Sequence, residues 1–170
     1  GRGETLAFSI LSGIDLSGLD LSGADFSQAQ CIKTNFAGAI LDRANFSQVM
    51  ANEADFNGCS MRRITLDRTM LLKAKLKKAD LSEASMKQAI FKEADLTEAD
   101  LTGAILELSM IMNTLMVKAR LNNIKANLTV FSDADATGII FKEARLERCL
   151  LRRLILNKAD FSYTAFPSTT

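Results

Sequence analysis

Histidine is absent from this chain, which removes the commonest general base and the commonest metal ligand. The three cysteines, Cys31, Cys59 and Cys149, are an odd number without metal-ligand spacing, so reduced thiols filling the core are expected, not a zinc site or a disulfide framework. An excess of either charge is also missing. With 21 Lys and Arg against 20 Asp and Glu, the formal charge is +1, and no global field exists to attract DNA, an anionic membrane or a basic partner. No stretch of 18 apolar residues and no charged-then-apolar leader occurs. The expectation is a soluble chain with no membrane contact, cytoplasmic or secreted only as part of a larger protein. A nucleophile with its base, paired carboxylates in a cleft and a phosphate loop are all lacking, so neither catalysis nor a small-molecule substrate, cofactor or metal is expected.

What the chain does contain is a repeat of period five. Stepping from Leu6 in fives gives Leu11, Leu16, Leu21, Phe26, Cys31, Phe36 and Leu41, and the series runs without insertion to Phe166. These 33 positions, the centres, hold 16 Leu, nine Phe, three Met, three Ala, one Ile and one Cys. Two residues before each centre the chain prefers a small side chain: 16 are Ala and nine are Ser, Thr or Cys. Charges avoid both positions, with the single exception of Glu4. Because an unpaired buried ion is too costly to repeat, both positions must face inward and the other three outward.

Neither regular element accommodates this pattern. Five residues of α-helix rotate a side chain by about 500°, so the centres would spiral around the cylinder. In a flat strand they would alternate between faces. A chain that turns a corner in every unit, and stacks its coils on a shared axis, satisfies the pattern.

Ala24-Asp25-Phe26-Ser27-Gln28, Ala79-Asp80-Leu81-Ser82-Glu83 and Ala99-Asp100-Leu101-Thr102-Gly103 resemble the A-(D/N)-(L/F)-x-x unit of pentapeptide-repeat proteins, over positions 4 to 168. The resemblance implies an all-β fold, a right-handed quadrilateral β-helix of about eight coils, each of four five-residue units. It also makes the Asp and Asn before the centres (Asp15, Asp25, Asn45, Asp95) structural rather than cation ligands, since such side chains bond local backbone. Residues 1–170 form one repeat domain. Both ends look uncapped, and a domain excised from a longer protein, or an end covered by a second copy, is the corresponding expectation. Val49 and Ile124 enlarge the small position, and Ala51 and Ala126 at the following centres compensate.

The position before each centre should face water. Seven of these positions break the rule on a beat of 20: Ile10, Met50, Met70, Ile90, Met110, Val130 and Leu150, with Gln30 interrupting. Phe8, Ile32, Leu72, Leu108, Met112 and Leu128 lie beside them. A beat of 20 is what four units per coil demands, so a stripe should run along one face and widen near the sixth coil. The expected site comprises Ile10, Met50, Met70, Leu72, Ile90, Leu108, Met110, Met112, Leu128, Val130 and Leu150 as a docking surface for a protein partner or a homodimer. Cover by another segment and partial shielding by neighbouring coils are the competing readings. The acidic rod that lets relatives mimic DNA and inhibit gyrase is missing, because no face carries a large negative charge. A basic group, Lys142, Arg145, Arg148, Arg152 and Arg153, is diluted by Glu143 and Glu147 and reads as solvated surface, not a nucleic-acid site.

Overall fold

The computed structural model describes residues 5–170; Glu4, the one charge at an inward position, lies outside them. Most units spend their backbone groups in the same way. Around Phe26, the amides of Phe26 and Gln28 donate to the carbonyls of Asn45 and Ser47 in the next coil at 2.8 and 3.0 Å, and the Asn45 amide returns to Ala24 at 2.9 Å. The Ala29 amide closes a turn on the Phe26 carbonyl at 2.9 Å. Gln28 lies between them with φ of 59°, the left-handed residue of a type II turn.

This left-handed position recurs two residues after every centre from Phe8 to Ser168. Glycine is suited to it, as at Gly58 with φ of 64°, but most occupants are Lys, Arg, Glu, Gln or Asn. Each non-glycine occupant costs about 1 kcal/mol, offset by the ladder bonds that the corner makes available.

Bridges join residues 20 apart, always in parallel, as in Asn35 to Asp55 to Lys75 and Asp80 to Asp100 to Arg120. Twenty residues per coil means four units per coil. Among the described residues there is no helix, and five short strands form: β1 Met110–Met112, β2 Lys125–Asn127, β3 Val130–Ser132, β4 Arg145–Glu147 and β5 Leu150–Arg152. They pair in parallel as β1-β3-β5 and β2-β4. The chain is an all-β repeat solenoid.

Both inward positions are buried from Leu21 to Cys149. Centres stack in ladders; Phe36 and Phe56 lie face to face at 5.0 Å, and Phe26 and Phe46 are tilted by 33° at 4.5 Å. Most hydroxyls at the small position are satisfied inside: Thr34 donates to Leu11 O at 2.7 Å, Thr69 to Phe46 O at 2.6 Å and Thr164 to Phe141 O at 2.7 Å, each a centre of the preceding coil, whereas the buried Thr114 hydroxyl has no partner. Val49 and Ile124 are fully packed, with Ala51 and Ala126 buried beside them. Ile64 and Ile139 enlarge the small position too and are equally buried, although Leu66 and Phe141 at the following centres are large. In the first described coil, Ile14 and Leu19 at small positions remain 46% and 47% exposed.

Candidate protein-docking surface

Outside the paired strands, one amide per unit, that of the residue after the centre, points outward and has no place in the ladder; Ser132, Glu147 and Arg152 instead pair with Met112, Asn127 and Ser132 of the preceding coil. An Asp or Asn before the centre accepts the outward amide: Asp25 Oδ1 from the Ser27 amide at 2.9 Å, Asn35 from Ala37 at 3.0 Å, Asp95 from Thr97 at 2.9 Å. These are Asx turns, which explains the motif carboxylates without a cation. Hydrogen bonds from the Ser162 hydroxyl and amide, with help from Lys142, hold Asp160 down at a pKa of about 2.

Where the motif residue is missing, a side chain from the preceding coil takes its place. Asp42 accepts the Arg62 amide at 3.0 Å, Asn52 that of Leu72 at 3.1 Å, Asn57 that of Lys77 at 2.9 Å, Asp67 that of Lys87 at 3.0 Å and Asn122 that of Lys142 at 3.2 Å. In each recipient unit the motif position holds something else: Ser60, Met70, Lys75, Ser85 and Ile140. From Leu21 onward, every unit with a capped outward amide also closes its turn. Over that stretch the turn bond fails only after Leu106, Ile111, Leu121, Ala126, Phe131, Leu146 and Leu151, none of whose units has a side-chain cap; five of these are the strand centres, and nearer the N-terminus the turn after Leu16 is open although Asp15 accepts the Ser17 amide.

The apolar positions fall on one ladder. Bridges and strand pairs link Ile10, Gln30, Met50, Met70, Ile90, Met110, Val130 and Leu150 in unbroken sequence. From Met50 to Leu150 no polar residue intervenes. Met50, Met70 and Met110 are 39–40% exposed, whereas Ile90, Val130 and Leu150 are half-buried, so neighbouring rungs shield the flanks and leave the outer surface open. Leu108 and Leu128 are exposed on the corner before this face, and Leu72 and Met112 are half-buried beyond the ladder. All eleven expected residues therefore lie on or beside one face, which is widest at β1 and β3.

Sequence reasoning missed the corner on the other side of the stripe. Its left-handed residues alternate in sign: Lys33, Glu53, Lys73, Glu93, then Asn113, then Asp133 and Arg153. Neighbours along the corner pair, Lys33 with Glu53 at 3.6 Å, Lys73 with Glu93 at 3.6 Å and Arg153 with Asp133 at 2.5 Å. Exposed pairs of this kind add under about 1 kcal/mol each, so their value is in the pattern of sign. A beat of 20 in charge, three residues after the apolar beat, was the available signal.

Other candidates hold less together. Lys142, Arg145 and Arg153 of the basic group are paired with Asp160, Glu147 and Asp133, and the group is spread over three faces. A shallow hollow lined by Ser22, Asp42, Arg43, Arg62, Arg63 and Glu83 contains two arginines already held by carboxylates, Arg62 by Asp42 at 2.6 Å and Arg63 by Glu83 at 2.8 Å. Cys31, Cys59 and Cys149 are buried and unpaired. Burial pushes the first two up to about 12 and raises Cys149 as well, so their thiolates are inaccessible near neutral pH.

The chain is similar to HetL of the cyanobacterium Nostoc sp. strain PCC 7120, a pentapeptide repeat protein involved in heterocyst differentiation regulation: 26% identity, 99% of this chain and 87% of that one, TM-score 0.58. It shares its fold with a trypsin-treated variant of QnrB1, a plasmid-mediated fluoroquinolone resistance protein, at 17% identity over 96% and 92% of the two chains and a TM-score of 0.50. No curated protein sequence matches it. The family model for pentapeptide repeats matches eight copies, over residues 5–30, 29–68, 71–107 and 129–164. Its gap, 108–128, is a stretch where the positions before the centres are Met110, Leu115, Arg120 and Lys125 instead of Asp or Asn. With repeats matched over most of its length and a coil of four five-residue units, this chain belongs to the pentapeptide repeat family.

Proposed function

We propose that the chain is a non-catalytic interaction module that docks protein through its apolar stripe. The observation that carries this reading is the ladder itself: six consecutive rungs, Met50 to Leu150, present only apolar side chains outward. A continuous apolar band on an outer face is what soluble proteins avoid unless it is used. Burial of that band supplies the affinity, and its three flexible methionines let the surface adapt to its partner. Relatives of this family are generally structural or interaction proteins, which agrees with this reading. A DNA-mimicking topoisomerase inhibitor would need an acidic face, and each face here mixes both signs.

The test is Met110→Asp/Val130→Asp. Asp before a centre is the family's own residue, and Asp80 and Asp100 already stack on another face, so the fold should be kept. Proteins cross-linked to the wild type should be lost from the double variant, or the solution mass should fall. Unchanged cross-linking together with unchanged mass overturns the reading.

A further inference from the structure

We infer that the stripe is met by a second copy of this chain, running antiparallel, with the twofold axis crossing the ladder between Ile90 and Met110. This rests on the docking reading above and names its occupant.

The first argument is spacing. Rungs of a parallel ladder are about 4.8 Å apart. An α-helix laid along the stripe advances about 5.4 Å per turn and would lose register by about 3 Å over six rungs. A second solenoid has the same spacing, so every rung meets a rung. The uninterrupted apolar run of six rungs has its midpoint between Ile90 and Met110. A twofold axis there sets Met50 against the partner's Leu150, Met70 against the partner's Val130 and Ile90 against the partner's Met110, and puts Gln30 against the partner's Thr170, the polar rung that follows Leu150.

The second argument is charge. A twofold axis lying in the contact plane and perpendicular to the solenoid brings the alternating corner of one copy against the same corner of the other, in reverse order. With the axis between Ile90 and Met110, Glu53 faces the partner's Arg153 and Lys73 faces the partner's Asp133, while Glu93 faces the partner's Asn113. Because the signs alternate, moving one copy by a single rung sets like charges together, Glu53 against Asp133 and Lys33 against Arg153. A twofold axis parallel to the solenoid fails differently. It brings the alternating corner against the opposite corner at the same level, Lys73 against Arg68 and Arg153 against Arg148. Like charges in such positions weaken association and select against the arrangement. The antiparallel register that pairs all six apolar rungs is therefore also one that pairs opposite charges.

The experiment measures dimer formation by light scattering across a wide concentration range, and register by disulfide trapping. In one chain positions 70 and 130 are three rungs apart, about 14 Å, too far to bridge. Met70→Cys/Val130→Cys should give a covalent dimer on mild oxidation, and neither single variant should; the buried native cysteines stay silent. Lys73→Glu sets a carboxylate against the partner's Asp133 and should weaken the dimer about fivefold or more. Lys73→Glu/Asp133→Lys should restore it, although that double variant leaves both intrachain pairs, with Glu93 and with Arg153, broken. Trapping by the single variants means a parallel pair and overturns the proposal, as does trapping of Met50→Cys/Met110→Cys instead of the 70/130 pair. A monomer at every concentration overturns the second copy as occupant. The docking reading then stands or falls on whether Met110→Asp/Val130→Asp loses cross-links to other proteins.

Discussion

The coils from Leu21 to Leu101 and those from Leu106 to Leu151 stack on the same 20-residue ladder but are stiffened differently. In the first region most outward amides meet an Asp or Asn, from their own unit or the preceding coil, and every turn closes. In the second, seven units have no side-chain cap and an open turn, and short strands replace tight corners. The two buried polar atoms without partners among the described residues, Thr114 Oγ1 and Asn127 Oδ1, also lie there. Coil stacking is thus set by the inward residues and the ladder, while the motif Asp or Asn governs only the local corner. Once released from capping, the position before the centre is free to carry Met110, Val130 or Leu150 on the outer surface.

The largest expected contrast is between inside and outside. Phe36→Ala removes a ring stacked at 5.0 Å on Phe56 and should cost about 3–5 kcal/mol, whereas Met110→Asn on the stripe should leave denaturant stability unchanged or slightly raised. Comparable losses in both would dissolve the distinction between core and stripe. Next comes the cap. Asn57→Ala frees the Lys77 amide and should cost about 1 kcal/mol, with faster hydrogen exchange at the Ala79 amide as its turn opens. Unchanged exchange there would show that capping and turn closure merely coincide.

The reverse experiment sharpens the same point. Met110→Asn supplies a cap to the Met112 amide, and the Thr114 amide should then gain protection as the turn after Ile111 closes. The smallest effect is with pH. Asp15, Asp25, Asp42 and Asp160 are held below the usual carboxylate range, Asp15 and Asp160 mainly by hydrogen bonds from Ser17 and Ser162, Asp25 by the Ser27 amide, and Asp42, against its partial burial, by Arg62 and Ser60. Depressed carboxylates contribute stability that is present above about pH 4 and lost as pH falls toward about 2. Thermal melts should therefore fall through that window and stay flat above it. Replacing Asp25 with Asn, which still caps, should flatten part of the decline.

Most of the fold was legible because its rule is local and repeated. Every fifth residue is apolar and charges avoid two positions in five, so inside and outside could be assigned without knowing any contact. The apolar ladder was legible for the same reason, since its beat equals the length of a coil. Caps supplied by Asp42, Asn57 or Asn122 escaped notice because they serve an amide in the next coil, and only a known coil length connects donor with acceptor. The alternating corner escaped because its sign pattern has meaning only once Lys73 and Glu93 are neighbours.

Chain order alone is enough for the period, the two inward positions and the coil length, because burial of apolar side chains acts at each unit separately and repeats. Which turns close, which rungs stay exposed and which charges line the stripe depend on groups 20 residues apart being about 5 Å apart. Those properties exist only in the stacked solenoid, where hydrogen bonds and ion pairs act over distances that the linear chain does not contain.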